Sequence, residues 1–597
     1  MRKNKVSPYL IPGIICALLT GLIYYFLHYV ELEGYNPSDD GVILAQSFRL
    51  FNGEIPHKDF ISIRPVFSSI LHGIHLISPL PMQISARWFI IFQYFTYSFL
   101  WSYLIFSIYK FKFSSPLVKV ICYVAMAYFA FLLSNIYNLF PWTTVDAIFI
   151  SIIALWIFNK MFSPGLLPIK QSIYCASGLF LFALAGISRQ SFIIIALVFF
   201  ILVIFIYLKK KKYISLLAIL FFGSLPLTLY LIYLVYHDAL WLFITQMTGR
   251  TELLQTGIVR FATAFTRSWL MPVHLIALSG LLFIKIKNTI SNKTFKNGTL
   301  FKNQQLIIFC FRIIYLFAAI VFSAILFIFP ELMFKCSFEL FWINLISGLA
   351  IILIIKPGKE KSALIIFSVL IAWTSAISLG DNAPVFTAGI LGANIIGLFF
   401  LFDQQISLTY RFKISTKYIY AIFPGLILFF LLALYGQRKS NYRDLPSSQL
   451  NKELSSINPG FGKIRTNINT FKYFIELNYV IEQLGGINVI KDRVVVAPNN
   501  SLFYPLNNTR NPFPVDWLQR EEYIGSENLL HSRIKETLEK EEIFIILDKC
   551  DSKRMAGAYK EITISGEKYD YIEILTGYCE EINVNSELFF VLKSNPY

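Results

Sequence analysis

The sequence predicts a polytopic α-helical membrane protein with about thirteen transmembrane helices and a small C-terminal α/β domain outside the cytoplasm. Three observations lead to this fold class. Of the 597 residues, 56% are hydrophobic and only 15% are charged, whereas soluble domains have about a quarter charged residues. Apolar runs long enough to cross a hydrocarbon layer of about 30 Å fill residues 8–436 and then stop. Lysine and arginine clusters follow every second run.

The basic clusters set the predicted topology. With the N-terminus inside, an odd number of spans puts the C-terminal tail outside. The first run is too long for the core of a signal peptide and no small-residue cleavage site follows it, so we expect a retained first helix. The predicted spans are 8–30, 86–108, 116–134, 144–159, 172–188, 190–208, 213–236, 269–286, 304–329, 338–355, 362–379, 384–402 and 418–436.

The net charge of +17 would by itself fit a nucleic-acid-binding protein. Many of the positive residues, however, lie in short connections between apolar runs, as in the Lys209 to Lys212 cluster. That distribution indicates membrane topology, so we expect membrane lipids and no nucleic acid among the partners. The Lys-, Ile- and Asn-rich composition favours a bacterium and therefore the inner (plasma) membrane.

The chain divides into a membrane domain, residues 1–436, and a soluble tail, residues 437–597. The membrane domain has two long outer loops, 31–85 and 237–268. In the tail, helical patterns at 471–484 and 529–540 alternate with strand-like runs at 494–497, 543–547 and 588–592, which predicts an α/β domain. Cys550 and Cys579 lie in this tail, and either a disulfide or two reduced thiols fits their position.

The first outer loop holds the most informative residues. Asn36-Pro-Ser-Asp-Asp-Gly41 precedes an apolar helical stretch, and Asn52-Gly-Glu-Ile-Pro-His-Lys-Asp-Phe60 and Arg64-Pro65 follow it. Asp39 and Asp40 fit the capping and first turn of a helix. The functional alternative is that they face a cavity just outside the membrane, where a carboxylate can accept a proton from an attacking hydroxyl.

The order of these motifs resembles the first loop of GT-C glycosyltransferases, in particular bacterial members similar to protein O-mannosyltransferases and the lipid A aminoarabinose transferase. In that family an Asp-Glu-Gly motif precedes a helix, then Gly-x-x-Pro-Tyr-x-Asp and a basic residue before Pro-Pro. This chain departs from the pattern with Asp40 for Glu, His57 for Tyr and Val66 for the second Pro. In the tail, Val494-Val-Val-Ala-Pro498 and Asn511-Pro-Phe-Pro514 also look like the outer domain of such enzymes.

The resemblance implies a GT-C-like fold and inverting transfer of a sugar from a polyprenyl-phosphate donor. The acceptor, a lipid, a glycan or a protein, would lie at the outer face of the membrane. Asp39 matches the first acid of the family motif and is the expected general base, with Asp40 as the second candidate. His57 and Asp59 are candidates for hydrogen bonds near the sugar, although isolated loop residues of these types are more often structural.

Cations near the leaving phosphate would stabilise its developing charge. Arg64 stands at the basic position before Pro, where an ordinary solvated charge is the alternative. Arg189, between two apolar runs, is the second candidate, and its alternative is snorkelling to the headgroups. Arg250, Arg260 and Arg267 in the second long loop fit either a phosphate or anionic lipid. No cluster has metal-ligand spacing, so no metal or cofactor is expected, although Asp39 and Asp40 are suitable ligands for a hard cation.

Two other classes of function fit a polytopic chain. A lipid or solute transporter would carry charged or Gly/Pro-broken segments near mid-membrane. Here the polar candidates gather at the outer ends of helices, which favours chemistry at the surface. A polysaccharide polymerase or ligase would need neither the acidic first loop nor a sizeable α/β tail.

Overall fold

The computed structural model describes most of the chain. The described residues are 32–37, 39–111, 116–134, 139–249, 271–280, 333–355, 357–377, 383–410, 444–549 and 571–596, with a few isolated positions.

The chain forms two compact units. The first comprises Met1–Leu27, Tyr94–Tyr137 and Ile258–Gln437. The second comprises His28–Gln93, Asn138–Gly257 and Arg438–Tyr597. The first outer loop, several helices that follow it and the tail therefore belong to one unit, and this second unit holds the described site candidates.

Long apolar helices dominate the described part of the chain before residue 444. Pro168 begins one of them, at a position where the missing N–H costs nothing. The α-helices of this part, long and short, are Val42–Phe51, Phe67–His72, Met82–Tyr109, Pro116–Ser134, Thr143–Lys160, Pro168–Ser188, Ile193–Lys209, Tyr213–Tyr236, Leu240–Thr248, Met271–Gly280, Met333–Ala350, Lys359–Ala376 and Ala388–Tyr410.

Six described helices are long and apolar enough to cross a membrane, which confirms a helical, multi-span chain in general terms. Of the predicted spans, 418–436 lies outside the described residues, and 8–30 and 304–329 lie outside them except for a few isolated positions, so the predicted total of about thirteen stays a prediction. The six helices are Met82–Tyr109, Thr143–Lys160, Pro168–Ser188, Gln190–Lys209, Tyr213–Tyr236 and Cys336–Leu353.

The tail contains two sheets. Strands β1 (Lys452–Glu453) and β2 (Arg465–Thr466) form a short antiparallel pair. The larger sheet has four strands in the order β3-β4-β6-β5. Its β3 and β4 are parallel, with Val494 opposite Phe544, and the other pairs are antiparallel. The four strands are β3 (Val494–Ala497), β4 (Phe544–Asp548), β5 (Cys579–Glu581) and β6 (Phe589–Ser594).

Helices cover both faces of the larger sheet. Side chains of a strand alternate between its two faces, and every residue of β3 and β4 is buried, so both faces need a packing partner. On one face, Val494 and Val496 pack with Tyr473 and Leu477 of the helix Ile468–Gln483. On the other face, Val495 and Ala497 pack with residues of the helix Glu527–Lys540. The remaining tail helices are Phe503–Leu506, Arg520–Tyr523 and Ile572–Tyr578.

The first outer loop contributes to these cores. Tyr35 and Leu44 belong to the cluster on the first face of the sheet, and Ile61 belongs to the cluster on the second. Burial of such side chains contributes roughly 1.5–3 kcal/mol each. The loop and the tail of the second unit therefore fold around shared apolar cores.

Candidate functional site

Asp39 and Asp40 of the first outer loop lie in a buried turn that the tail holds in place. We call residues 35–37 and 39–41 the acidic turn. Just before it, the amide of Gly34 donates to the carbonyl of Arg465 over 2.9 Å. Within it, the carbonyl of Pro37 accepts from the amide of Asn500, also over 2.9 Å. The ring of Tyr35 packs against tail aromatic residues. The tail thus fixes the acidic turn by backbone and side-chain contacts.

Asp40 is held by a buried arginine. Nη2 of Arg87 lies 3.3 Å from its Oδ2 and also donates to the carbonyl of Gly34. The same carboxylate oxygen accepts from the amide of Asn36 over 3.3 Å. Burial raises the pKa of Asp40 from 3.8 to about 7. Arg87 and the Asn36 amide oppose this rise, and the neighbouring Asp39 adds to it.

Asp39 is 2% exposed, and its amide donates to Oδ1 of Asn36 over 3.2 Å. The backbone beside it passes very close to the tail. A Cβ atom added to Gly41 would lie 2.3 Å from the backbone nitrogen of Leu502, which is closer than real Cβ atoms approach. Glycine at this position is therefore required for the observed contact between the acidic turn and the tail.

Arg64 forms a two-pronged ion pair with a tail carboxylate. Its Nη1 and Nη2 lie 2.5 and 2.6 Å from the two carboxylate oxygens of Glu522. Burial by itself lowers the pKa of Arg64, but the charge of Glu522 and then that of Asp39 raise it above the ordinary value of arginine. Arg64 is therefore close enough to Asp39 for electrostatic coupling.

Arg189 lies beside Arg64. It follows the helix Pro168–Ser188, and its Nη1 donates to Oγ1 of Thr143 over 3.2 Å. The next residue, Gln190, donates from Nε2 to the carbonyl of Ile63. Burial and, to a smaller extent, the positive charge of Arg64 together lower the pKa of Arg189 to about 9. The second unit therefore brings Asp39, Arg64 and Arg189 into one electrostatically coupled group.

His57 is buried in a network of hydrogen bonds. Its Nδ1 lies 2.8 Å from Oε1 of Gln246, and its Nε2 lies 2.9 Å from the hydroxyl of Tyr230. Nε2 of Gln246 donates back to the carbonyl of His57. Burial lowers the pKa of His57 to about 4, so the ring is neutral at physiological pH. Both ring nitrogens are engaged with other side chains, an arrangement that fits positioning of the loop better than direct contact with a sugar.

Asp59 closes an exposed turn, where its Oδ2 accepts from the amide of Ile55 over 2.7 Å. The other sequence candidates, Arg250, Arg260 and Arg267, lie outside the described residues, as does Cys550. In the described ranges, no group of three or more His, Cys, Asp or Glu side chains is arranged to hold a metal ion.

A buried arginine that the sequence analysis did not select connects the first loop to the tail. Nε of Arg49 donates to both carboxylate oxygens of Asp516 over 2.9 Å, and its Nη2 donates to the carbonyl of Phe513 over 2.5 Å. Nη1 pairs with Glu54 at 2.6 Å. Arg49 interrupts the apolar run of the helix Val42–Phe51, and that interruption was the available sequence signal.

Two histidines and an aspartate form another network that the sequence analysis missed. Nε2 of His72 lies 3.1 Å from Oδ1 of Asp146, and its Nδ1 lies 3.1 Å from Nε2 of His75. Nδ1 of His75 lies within hydrogen-bond distance of the hydroxyl of Ser85, and Nε2 of Gln93 donates to Oδ1 of Asp146. An acid in the first turn of the apolar helix Thr143–Lys160 was the signal for this network.

The first unit holds a separate buried pair. Nε2 of His274 lies 2.7 Å from Oε2 of Glu339, whose other oxygen accepts from the hydroxyl of Ser268 over 2.7 Å. Glu339 lies within the candidate span Cys336–Leu353, where an ionisable side chain requires a partner. The pair satisfies that requirement.

Comparisons with known proteins give one similarity. No protein-family model matches the chain, and no curated protein matches it. Among solved structures, the chain is similar to the crystal structure of ArnT from Cupriavidus metallidurans in the apo state. The alignment covers 97% of this chain and 100% of that chain, with 9% sequence identity and a TM-score of 0.36. The similarity extends along almost the whole chain, at a TM-score too low to carry an argument about fold or activity.

Proposed function

We propose that the chain is a GT-C-like membrane glycosyltransferase that transfers a sugar from a polyprenyl-phosphate donor to an acceptor at the outer face of the membrane. The observation that carries this proposal is the group of Asp39, Arg64 and Arg189 in the second unit, of which Asp39 and Arg189 are buried and Arg64 is partly buried. A carboxylate and two cations in electrostatic contact supply the two kinds of group that such a transfer needs, a base and a stabiliser of the leaving phosphate.

The proposed reaction is a single displacement with inversion at the anomeric carbon. The acceptor hydroxyl forms a new bond to the anomeric carbon while the bond from that carbon to the phosphate oxygen breaks. The hydroxyl proton passes to the carboxylate of Asp39, and the bonding electrons leave with the polyprenyl phosphate. Asp40 is bound to Arg87 and to the amide of Asn36, which supports a role in holding the turn. We therefore assign the base to Asp39.

The two arginines have different proposed roles at the phosphate. Arg64 presents a planar, two-pronged donor that matches phosphate oxygens, but Glu522 occupies both of its Nη atoms. Donor binding would therefore require exchange of Glu522 for the phosphate. Arg189 lies close enough to add a second positive charge. The attraction of both positive charges for the phosphate would be strongest in the transition state, as negative charge develops on the leaving group.

The proposal includes a bacterial inner-membrane location with the tail on the outer side. The acceptor is a lipid, a glycan or a protein. No metal or cofactor is assigned a step, because the base and the two cations suffice for the displacement.

The proposal is tested with the purified full chain in nanodiscs and radiolabelled polyprenyl-phosphate mannose, glucose and arabinose as donors. Asp39→Asn should lower the transfer rate by about 10²–10⁴-fold, the usual contribution of a positioned base. Asp40→Asn should have a smaller effect, and Glu573→Gln, at an exposed tail position, serves as the control. Transfer by Asp39→Asn at the wild-type rate would exclude Asp39 as the base. Absence of transfer by the wild type from all donors would favour the transporter hypothesis.

A further inference from the structure

The tail segment around Asn500 covers the acidic turn. The amide of Asn500 donates to the carbonyl of Pro37, and the backbone of Leu502 lies against Gly41. These two contacts fall on either side of Asp39 and Asp40 in the sequence. Asn500 therefore adjoins the turn that carries the proposed base, although more than 400 residues separate the two in the chain.

The side chain of Asn500 is buried without a protein partner. It is 1% exposed, and within the described part of the chain neither its Oδ1 nor its Nδ2 has a hydrogen-bond partner. Its neighbours differ, because Asn499 accepts from Trp517 and Gln519, and Ser501 donates to the carbonyl of Asp516. Leaving both ends of an amide unpaired in a buried place costs free energy, so such a group needs a partner from outside the chain, either a ligand or a bound water.

The backbone conformation of Asn500 is a second unfavourable contribution to the free energy of folding. Its φ angle is +76°, in the left-handed region, where a side chain is unfavourable and glycine is not. Asparagine tolerates this region better than most residues, but glycine would fit without strain. A purely structural role would therefore be served at least as well by glycine. The side chain itself is what requires an explanation.

We propose that the amide of Asn500 hydrogen-bonds hydroxyl groups of the sugar that is transferred, so that the tail forms part of the sugar-binding site. This inference rests on the proposed function. An amide offers a donor and an acceptor a short distance apart, which matches two neighbouring hydroxyl groups. A site built to bond hydroxyls also discriminates strongly against sugars that lack them. Asn500 would then contribute to the choice of sugar.

The test compares Asn500→Gly with Asn508→Gly in the full chain. Asn508 also has a positive φ angle, +49°, but its side chain is exposed, so it is a matched control for the backbone effect. The kcat/KM for transfer is measured with the donor that the wild type uses best. The melting temperature is measured without donor and with each polyprenyl-phosphate sugar. Asn500→Asp, which also tolerates the left-handed region, replaces the amide donor while keeping the size of the side chain.

We expect Asn500→Gly to keep or raise the melting temperature of the free protein and to lower kcat/KM at least about tenfold. The Asn508→Gly variant should keep the wild-type kcat/KM. If Asn500→Gly unfolds at lower temperature, a loss of kcat/KM by the folded Asn500→Asp variant supports the inference, and wild-type kcat/KM in that variant overturns it. Wild-type kcat/KM in Asn500→Gly would also overturn it, because the amide would then bind nothing more than water.

Failure of the proposed function gives a different pattern. The wild type would then transfer sugar from none of the donors, and the inference would be decided by binding alone. A rise in melting temperature with a donor in the wild type and Asn508→Gly, but not in Asn500→Gly, would support sugar binding by Asn500. An equal rise in all three proteins, or no rise in the wild type, would overturn it.

Discussion

The acidity of Asp40 shows how burial and a neighbouring cation compete at a single residue. Burial raises its pKa to about 7 despite the contact with Arg87. The folded state therefore binds a proton that the unfolded chain releases near pH 4. The contribution of the protonated group to stability is complete below pH 4 and is lost as the pH rises through 7. At about 1.4 kcal/mol for each unit of pKa, the difference between 3.8 and about 7 corresponds to about 4 kcal/mol.

Asp40→Asn provides the measurement. Because asparagine does not titrate, the melting temperature of the variant minus that of the wild type should rise between pH 4 and pH 8. Thermal unfolding of both proteins in nanodiscs, recorded across this range, checks the expectation. A difference that is constant with pH, or that falls, would show that Asp40 is already ionised in the folded protein at low pH.

At the scale of single residues, some candidates could be identified from the sequence, but their partners could not. Asp39 and Arg64 could be selected because they stand at the acidic and basic positions of the first-loop motif, and Arg189 because an arginine between two apolar runs is costly. Glu522 and Asn500 could not be selected, because what distinguishes them is contact with residues far away in the chain. Arg64 and Glu522, for example, are 458 residues apart. A local pattern contains no information about such a pair.

At the scale of elements, the short helix Arg520–Tyr523 carries the carboxylate that would compete with the proposed donor for Arg64. Its Glu522 holds the two Nη atoms of Arg64 that a phosphate would use, in a pair with side chains 14% and 6% exposed. We expect Glu522→Gln to tighten the binding of polyprenyl phosphate at least about threefold, because a charged competitor becomes neutral. The melting temperature should fall, because a partly buried arginine loses its counterion.

Binding of radiolabelled polyprenyl phosphate in nanodiscs gives the affinity. Glu521→Gln is the matched control, since it makes the same change at an exposed position of the same helix. Weaker binding by Glu522→Gln would contradict competition and would mean that Glu522 orients Arg64 for the phosphate.

Helices and long strands were predictable because their hydrophobic patterns are local. The run predicted at 213–236 is the helix Tyr213–Tyr236, and the strand predicted at 494–497 is β3. The strand β5 was not predicted, because it is short and polar and two of its three residues are exposed. It forms by pairing with β6, which is a tertiary contact with little signal in the local sequence.

For the whole molecule, the charge distribution predicts that the tail and the Lys209 to Lys212 connection lie on opposite sides of the membrane. We expect Ser532→Cys, exposed in the tail, to react with a membrane-impermeant maleimide in cells with a permeabilised outer membrane. Lys211→Cys, also exposed, should react only after the inner membrane is broken. Both changes are made in a chain whose native cysteines are replaced by serine. Equal labelling of both positions in spheroplasts would contradict the predicted topology.

The contacts of Arg49 and Arg64 with the tail have a consequence for biosynthesis. Arg49 and Arg64 are synthesised early. Their partners Asp516 and Glu522 are added by the ribosome more than 440 residues later. At 5–20 residues per second, a typical synthesis rate, that interval lasts about 20–90 seconds. During it, two arginines have no carboxylate from the tail to neutralise them. A nascent or prematurely terminated chain would therefore be a natural target for quality-control proteases, and only a finished polypeptide would acquire a protected outer face.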